Sequence, residues 1–232
     1  PQPGVVLALK GQVEIRSAGE AAWHNANLRE RLQPGARIRT GAKSSALIEI
    51  STRNRLALGE LTELGYDEAT ARREVDRAAG AALFSASRRN VYSFRVSQSS
   101  GRVSAVLRGL GKSSRLELKT PIATAGVRGT YFVSLLAPQA ASGSFFVLEG
   151  LVHIVSRFVK GGAADVAAGQ KIDVGPQAGG SPEPIAATQN APLTNEMRQI
   201  TDGVARDEST VHRNDNMLNV NDAGASSGGC TP

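Results

Sequence analysis

The residues able to do metal or acid–base chemistry are few and widely spaced in this chain. The three histidines, His24, His153 and His212, have no second ligand at metal-site spacing, and Cys230 is the only cysteine. An enzyme needs a nucleophile beside a base, a paired acid and base, or a set of metal ligands. The sequence therefore predicts no catalytic, cofactor-binding or metal-binding residues and no enzymatic activity, with Cys230 as a bystander thiol.

A glycine-rich segment at residues 108–114, RGLGKSS, invites comparison with a phosphate-binding loop. In the pattern GxxxxGK[ST] the first glycine would stand at position 106, which is Val106. The next segment, RLELKTP, has the pattern of a strand, so no helix N-terminus would follow to hold phosphate. The segment is predicted to be a loop.

The most unusual stretch is residues 120–133, TPIATAGVRGTYFV, where two glycines flank a single arginine inside an apolar run. Gly126 and Gly129 predict a bulge or corner between two strands, because glycine allows positive φ and close backbone approach. At this bend the Arg128 guanidinium would either satisfy carbonyls or a carboxylate of the corner, or hold an anion or a partner carboxylate. Gly126, Arg128, Gly129 and Thr130 are thus candidates for a structural corner or a partner contact.

The segment TPIATAGVRGTYF resembles the signature of the FecR domain, a bacterial cell-envelope module. Other segments follow in the family's order and cover most of residues 5–174: GQVEIRSAGEAAW, LQPGARIRTGAKSSALIEI, RLALGELTEL, VLEGLVHIV and AAGQ. The resemblance, with the short alternating strands, implies an all-β fold, an antiparallel β-sandwich or jelly-roll-like domain over residues 4–175. Studied members that it resembles also carry a cytoplasmic anti-sigma segment, a membrane helix and a small domain that meets an outer-membrane transducer. The sequence has no segment matching these.

Alternating apolar and polar residues predict the strands of this domain. Val13 and Ile15 are expected on a buried face, and Trp23 is expected to plug the core with its indole donor hydrogen-bonded. Residues 90–107 are predicted to form a hairpin that turns at SQSSG, with Phe94 among the inward residues.

An insertion at about residues 67–87 departs from the strand pattern of the resembled family. It is rich in alanine, with acidic residues followed by arginines, and predicts a helix over about residues 68–84. Its apolar stripe is thin, so it is expected either to dock lightly on the body or to meet a partner. The partner-helix candidates are Arg72, Arg73, Val75, Leu83 and Phe84.

The C-terminal part, residues 176–232, is predicted to be a largely irregular tail. Residues 176–191 have the composition of a linker, and residues 193–204 predict a short helix capped by Thr194, with Met197 and Ile200 in its apolar stripe. The remaining residues have the composition of an extended end that a neighbouring chain would have to hold.

Charge is distributed unevenly along the 232 residues. Residues 1–120 carry 20 Lys and Arg against 11 Asp and Glu, and residues 176–232 carry 3 against 7. This asymmetry is compatible with a tail lying on the body, with a basic surface facing an acidic partner or anionic lipopolysaccharide, or with arginines dispersed on solvent-facing strands.

The expected location is the periplasm or the cell surface. No apolar run approaches the length of about 18 residues that a membrane helix needs, and the start at Pro1 is compatible with a chain whose export signal has been removed. The expected partners are envelope proteins in a homo- or hetero-oligomeric assembly, with possible contact to peptidoglycan or lipopolysaccharide. Nucleic acid is not expected, because aromatic stacking platforms are not evident.

Three functions are compatible with these observations. The first is a non-catalytic protein-binding or scaffold module of a larger envelope assembly. The second is a sensory regulator of the FecR type, acting in transmembrane iron-uptake signalling. The third is a binder of envelope glycans or anions that uses the basic front half and Arg128.

Overall fold

The structure is a computed structural model that describes residues 2–76, 87–108, 114–137, 139 and 141–201, with the backbone alone at 74–76, 87–89 and 128. This part of the chain contains fifteen strands and one helix, α1, at residues 187–201. The strands are β1 (Gly4–Lys10), β2 (Val13–Arg16), β3 (His24–Asn25), β4 (Arg31–Leu32), β5 (Ala36–Thr40), β6 (Ser45–Ser51), β7 (Asn54–Leu58), β8 (Glu63–Asp76), β9 (Ser87–Leu107), β10 (Arg115–Lys119), β11 (Thr124–Leu136), β12 (Gly143–Val155), β13 (Ala163–Ala167), β14 (Gln170–Val174) and β15 (Glu183–Pro184).

Two runs of hydrogen-bonded strands build the body. The front layer has the order β3, β2, β5, β8, β9, β10, β11, β12, β13. The back layer has the order β4, β1, β6, β7, β9, β11, β12, β14, β15. One buried cluster contains side chains from both layers, such as Ile38 and Phe94 from the front and Ile48 and Phe145 from the back. The fold is all-β, as predicted, with two layers packed over a shared core.

Three long strands belong to both layers. β9, β11 and β12 each change partners at a glycine with positive φ, namely Gly101, Gly129 and Gly150. The hairpin predicted over residues 90–107 is therefore wrong, because β9 bends at Gly101 without reversing. Its first part also pairs parallel with β10, whereas the other strand pairs in the described residues are antiparallel.

The predicted helical insertion is wrong over residues 68–76. These residues continue β8, which pairs with β9 from Glu63 opposite Ser100 to Asp76 opposite Ser87. The alanine-rich composition favours a helix locally, but a long antiparallel ladder overrides that weak preference. Beyond Ala69, which is buried, the described side chains of β8 are exposed on both faces. The two strands thus form an arm that extends past the core. Residues 77–84 of the predicted helix lie outside the described part of the chain.

Residues 176–201 of the tail are more ordered than their composition predicts. β15 pairs with β14, and α1 begins six residues earlier than predicted and runs through Pro192. Thr194 lies inside the helix, where its hydroxyl hydrogen-bonds the Asn190 side chain at 3.3 Å, so it is not the cap. Hydrogen bonds from the Gln189 and Asn190 amides to the Ala186 carbonyl close the first turn, a local contact that the linker-like composition of residues 176–191 does not indicate. In the described residues no helix is long and apolar enough to cross a membrane.

Candidate functional site

The corner in β11 lies at Gly129 and Thr130. Pairing with β12 is regular up to Arg128 opposite Leu151 and resumes at Tyr131, so the two intervening residues form a bulge. Gly129 has φ 60° with open space around it, whereas Gly126 lies within the regular ladder and is exposed. The side chain of Arg128 lies outside the described part of the structure.

Two strand corners interlock at this point. Thr130 is 2% exposed and lies against Gly150, the corner of β12. A Cβ at Gly150, where φ is 83°, would come within 2.4 Å of the Thr130 methyl carbon and 3.0 Å of the Gly129 carbonyl oxygen. Glycine at position 150 therefore serves both the backbone conformation and the close approach of the bulge.

Next to the corner, three outward side chains of β12 form an exposed strip, the β12 strip: Leu151, His153 and Val155. Leu151 is 52% and Val155 48% exposed. Between them, His153 Nδ1 lies 2.6 Å from the Asp165 carboxylate on β13. Gly126 stands opposite His153 on the other side and leaves the strip uncovered. The strip is an apolar surface with one polar pair at its centre, near the edge of the front layer.

The rest of the outer front layer is lined with charged pairs between strands. Glu14 on β2 pairs with Arg39 on β5 at 2.7 Å, and similar contacts continue across the layer. They join Arg37 to Glu63 at 3.0 Å, and Arg95 to Glu68 at 2.8 Å and to Glu117 at 3.5 Å. Part of the basic charge of the first 120 residues is thus dispersed on a solvent-facing surface, where Arg37, Arg39 and Arg95 are balanced by carboxylates.

Trp23 lies on this outer face, which corrects its prediction as a core plug. Its ring is half-buried, with the Arg39 guanidinium carbon 4.2 Å and that of Arg16 5.0 Å from the ring centroid. The indole contacts cations through its π face rather than filling the core. β3, which directly follows Trp23, pairs with β2 at the edge of the front layer, and the indole beside it covers the side chains of Arg16 and Arg39.

The outer face of the back layer is apolar and is covered by α1. We call it the back face and define it by its buried residues Val106, Tyr131, Val133 and Phe146. Leu193 and Ile200 of α1 pack on it, together with Ile185 and the partly buried Met197.

Polar contacts surround this apolar contact. Glu196 of α1 accepts a 2.7 Å hydrogen bond from the Ser104 hydroxyl and forms an ion pair with Arg102. The Tyr131 hydroxyl donates to the Leu193 carbonyl at 3.3 Å, and Arg55 donates to the Ile200 carbonyl at 3.0 Å. Burial, with the nearby Glu196 carboxylate, raises the pKa of Tyr131 well above its usual value.

β15, the short strand before α1, is held to β14 by an ion pair with Lys171. Lys171 on β14 contacts Asp173 and the Glu183 carboxylate of β15, each at 2.9 Å. Hydrogen bonds to Glu183 and Asp173 raise the pKa of Lys171. Burial alone raises the pKa of Asp173, but hydrogen bonds from Ser144 and Lys171 bring it below its usual value.

The candidate residues fall into separate groups. Gly126, Gly129 and Thr130 lie on β11, whereas the exposed Arg72 and Arg73 lie on β8, three strands away in the front layer. Val75 lies in β8 opposite Arg88. Leu83 and Phe84, the other two candidates of the predicted helix, lie outside the described residues. Within the described ranges, no group of three His, Cys, Asp or Glu could hold a metal ion.

Comparison with known proteins identifies the family. The model of the FecR protein family matches residues 36–153, which is 118 of the 232 residues. This chain belongs to the FecR family. The match contains the β11 corner, most of the β12 strip and the strands of the back face, and it ends before α1.

Solved structures give a distant likeness. Two crystal structures of a candidate anti-sigma factor from Parabacteroides distasonis ATCC 8503, at 1.65 Å and 2.50 Å resolution, each match with a TM-score of 0.47 and 12% identity. Each match covers 66% of this chain and 61% of the solved chain, so this chain spans less than two thirds of that protein. No curated protein matches the sequence.

Proposed function

We propose that this chain is the non-catalytic contact domain of a FecR-type regulator, which relays a signal by binding protein partners in the cell envelope. Membership of the FecR family over residues 36–153 is the observation that carries the proposal. The studied members that the sequence resembles are regulators that act through an outer-membrane transducer and a sigma factor. A periplasmic or cell-surface location belongs to the same proposal.

The β12 strip is the proposed contact with the partner. Leu151 and Val155 each leave about half of an apolar side chain in solvent beside the β11 corner. Complete burial of a fully exposed side chain of this kind contributes about 1.5–3 kcal/mol, so covering the exposed half of each contributes about 1 kcal/mol to a contact. The adjacent pair of His153 and Asp165 adds polar groups that a partner's backbone or side chains can meet.

The test is genetic and uses the natural gene. Deletion is expected to change the transcription of a small set of envelope genes, and the wild-type gene restores it. Leu151→Asp with Val155→Asp is expected not to restore it, because two carboxylates would be buried in the contact. Leu28→Asp is the matched control, since Leu28 is 62% exposed and lies between β3 and β4, away from the strip. Unchanged transcription after deletion would overturn the regulatory function.

A scaffold role is the second candidate, and the β8–β9 arm favours it. The arm extends past the core with exposed Arg72 and Arg73, as expected of an element that reaches a neighbouring subunit. Cross-linking in intact cells followed by native electrophoresis tests this role. A stable large assembly with unchanged transcription would support the scaffold, whereas a monomer in the envelope would contradict it.

Binding of glycans or anions has less support. Arg37, Arg39 and Arg95 of the front half already contact carboxylates, which reduces the charge available to an anionic ligand. Arg16 and Arg39 also stack on Trp23.

A further inference from the structure

Helix α1 covers a face built by the family domain but lies outside the matched region. Val106, Tyr131, Val133 and Phe146 fall within residues 36–153, and α1 starts more than thirty residues after the match ends. The back face is therefore a surface of the FecR domain itself, occupied by an appended element of the same chain.

The helix is intrinsically weak. Pro192 stands at its sixth position, where it cannot donate to the carbonyl of Thr188. Proline in a helix interior costs about 3 kcal/mol relative to alanine. All residues from 187 to 192 are exposed, so this half gains little from packing. The helical state of α1 therefore depends on the few contacts of its second half.

The covering is also incomplete. Beside the exposed half of the helix, Arg102, Leu135 and Phe146 line a cavity of about 260 Å³ together with Gln189 and Pro192. This cavity shares Leu135, Phe146 and Gln189 with a larger groove of about 790 Å³ along β14. Leu135 remains 45% exposed. The helix therefore leaves part of the surrounding apolar surface open to solvent.

We infer that α1 is a displaceable cover, which occupies in cis the surface that an amphipathic helix of a protein partner binds in trans. The contacts of α1 define the chemistry of that partner helix. It needs apolar side chains at the positions of Leu193, Met197 and Ile200, spaced i, i+4 and i+7, and a carboxylate at i+3, where Glu196 meets Arg102 and Ser104. A bulkier side chain near the Pro192 position would fill the neighbouring cavity.

The existence of a partner rests on the proposed function, whereas the release of α1 does not. The cover acts as an intramolecular competitor. The apparent association constant for a helix in trans is therefore the intrinsic constant multiplied by the fraction of molecules whose back face is open. A signal that frees α1 would raise that fraction without altering the face.

The experiment uses the full chain and a labelled synthetic peptide of residues 186–201 carrying Pro192→Ala, with binding followed by fluorescence anisotropy. Glu196→Arg in the protein places a cation beside Arg102 and is expected to speed hydrogen exchange in α1. It should tighten peptide binding by about tenfold or more, because the competitor is weakened. Asn195→Arg is the matched control, since it introduces the same cation at an exposed position of the same helix, outside the stripe of Leu193, Met197 and Ile200.

A second variant changes the cover in the opposite direction. Pro192→Ala in the protein should strengthen α1, slow its exchange and weaken peptide binding. Peptide binding and exchange are measured on the purified protein, so failure of the cover and failure of the regulatory function are told apart. Leu28→Asp, at an exposed position outside both surfaces, should leave peptide binding unchanged. Equal peptide affinity in wild type, Glu196→Arg and Pro192→Ala would overturn the inference, as would α1 exchange that Glu196→Arg and Pro192→Ala leave unchanged.

Discussion

Thr130 lies so close to Gly150 that a Cβ on the glycine would come within 2.4 Å of the threonine methyl carbon. Gly150→Ala is therefore expected to reduce the free energy of unfolding by about 2–4 kcal/mol, from backbone strain together with the clash. Gly129→Ala should cost about 1 kcal/mol, because the positive φ is strained but the space is open. Urea unfolding of each variant measures both values.

Gly126→Ala is the control for this series. A Cβ there meets nothing closer than the His153 carbonyl oxygen at 3.8 Å, so the change should stay within about 0.5 kcal/mol. Equal losses for Gly126→Ala and Gly150→Ala would show that the corner is not where the two strands interlock.

Leu151 and Ile154 lie on opposite faces of β12. Ile154→Ala should lower the free energy of unfolding by about 2–5 kcal/mol, since Ile154 is fully buried in the shared core. Leu151→Ala should lower it by only about 1 kcal/mol, because half of the Leu151 side chain is already in solvent. Chemical denaturation of the two single variants checks the assignment of faces, and a reversed order would contradict it.

Trp23 is the only tryptophan, so its fluorescence reports directly on the outer front face. We expect ready quenching by acrylamide in the folded protein. Trp23→Ala should cost about 1 kcal/mol, the scale of a cation–π contact with partial burial, rather than the 3–5 kcal/mol of a buried ring. A shielded, blue-shifted emission would instead place the ring in the core.

Stability should decrease at alkaline pH because of the buried tyrosines. Burial raises the pKa of Tyr131 and of Tyr66, so the folded state keeps both protons where the unfolded chain loses them. Their contribution is fully present below the unfolded pKa of about 10 and is lost as the pH rises above it. Tyr131→Phe and Tyr66→Phe should each flatten the decrease, and the double variant should flatten it further. Unfolding curves between pH 8 and 11, as rough limits, provide the measurement. A decrease that persists unchanged in the double variant would refute this cause.

Alternation of apolar and polar residues predicts the strands well where one face of a strand packs on the core and the other faces solvent. Val13 and Ile15 are buried, because a period of two places every second residue on one face of a strand. Residues 68–76 were predicted as helix because their composition favours one, whereas their strand state comes from a ladder with β9. Such a partner cannot be recognised from the segment alone.

The candidate site shows the same division between local and distant information. The double-glycine stretch indicated a corner from its own residues, and the structure locates the bend at Gly129. The stripe of Met197 and Ile200 indicated a tail helix. Its docking depends on Tyr131 and Phe146, more than fifty residues before it, so only the folded sheet reveals the covered face.

The three strands that run through both layers couple the layers mechanically. β9, β11 and β12 form hydrogen-bonded pairs with strands of both layers. Opening of one layer would therefore also break the central strand pairs of the other layer. We therefore expect the slowest-exchanging amides of both layers to share a single global opening event. A load applied at the β12 strip would then reach the opposite side of the domain through a stiff body, without passing through a hinge.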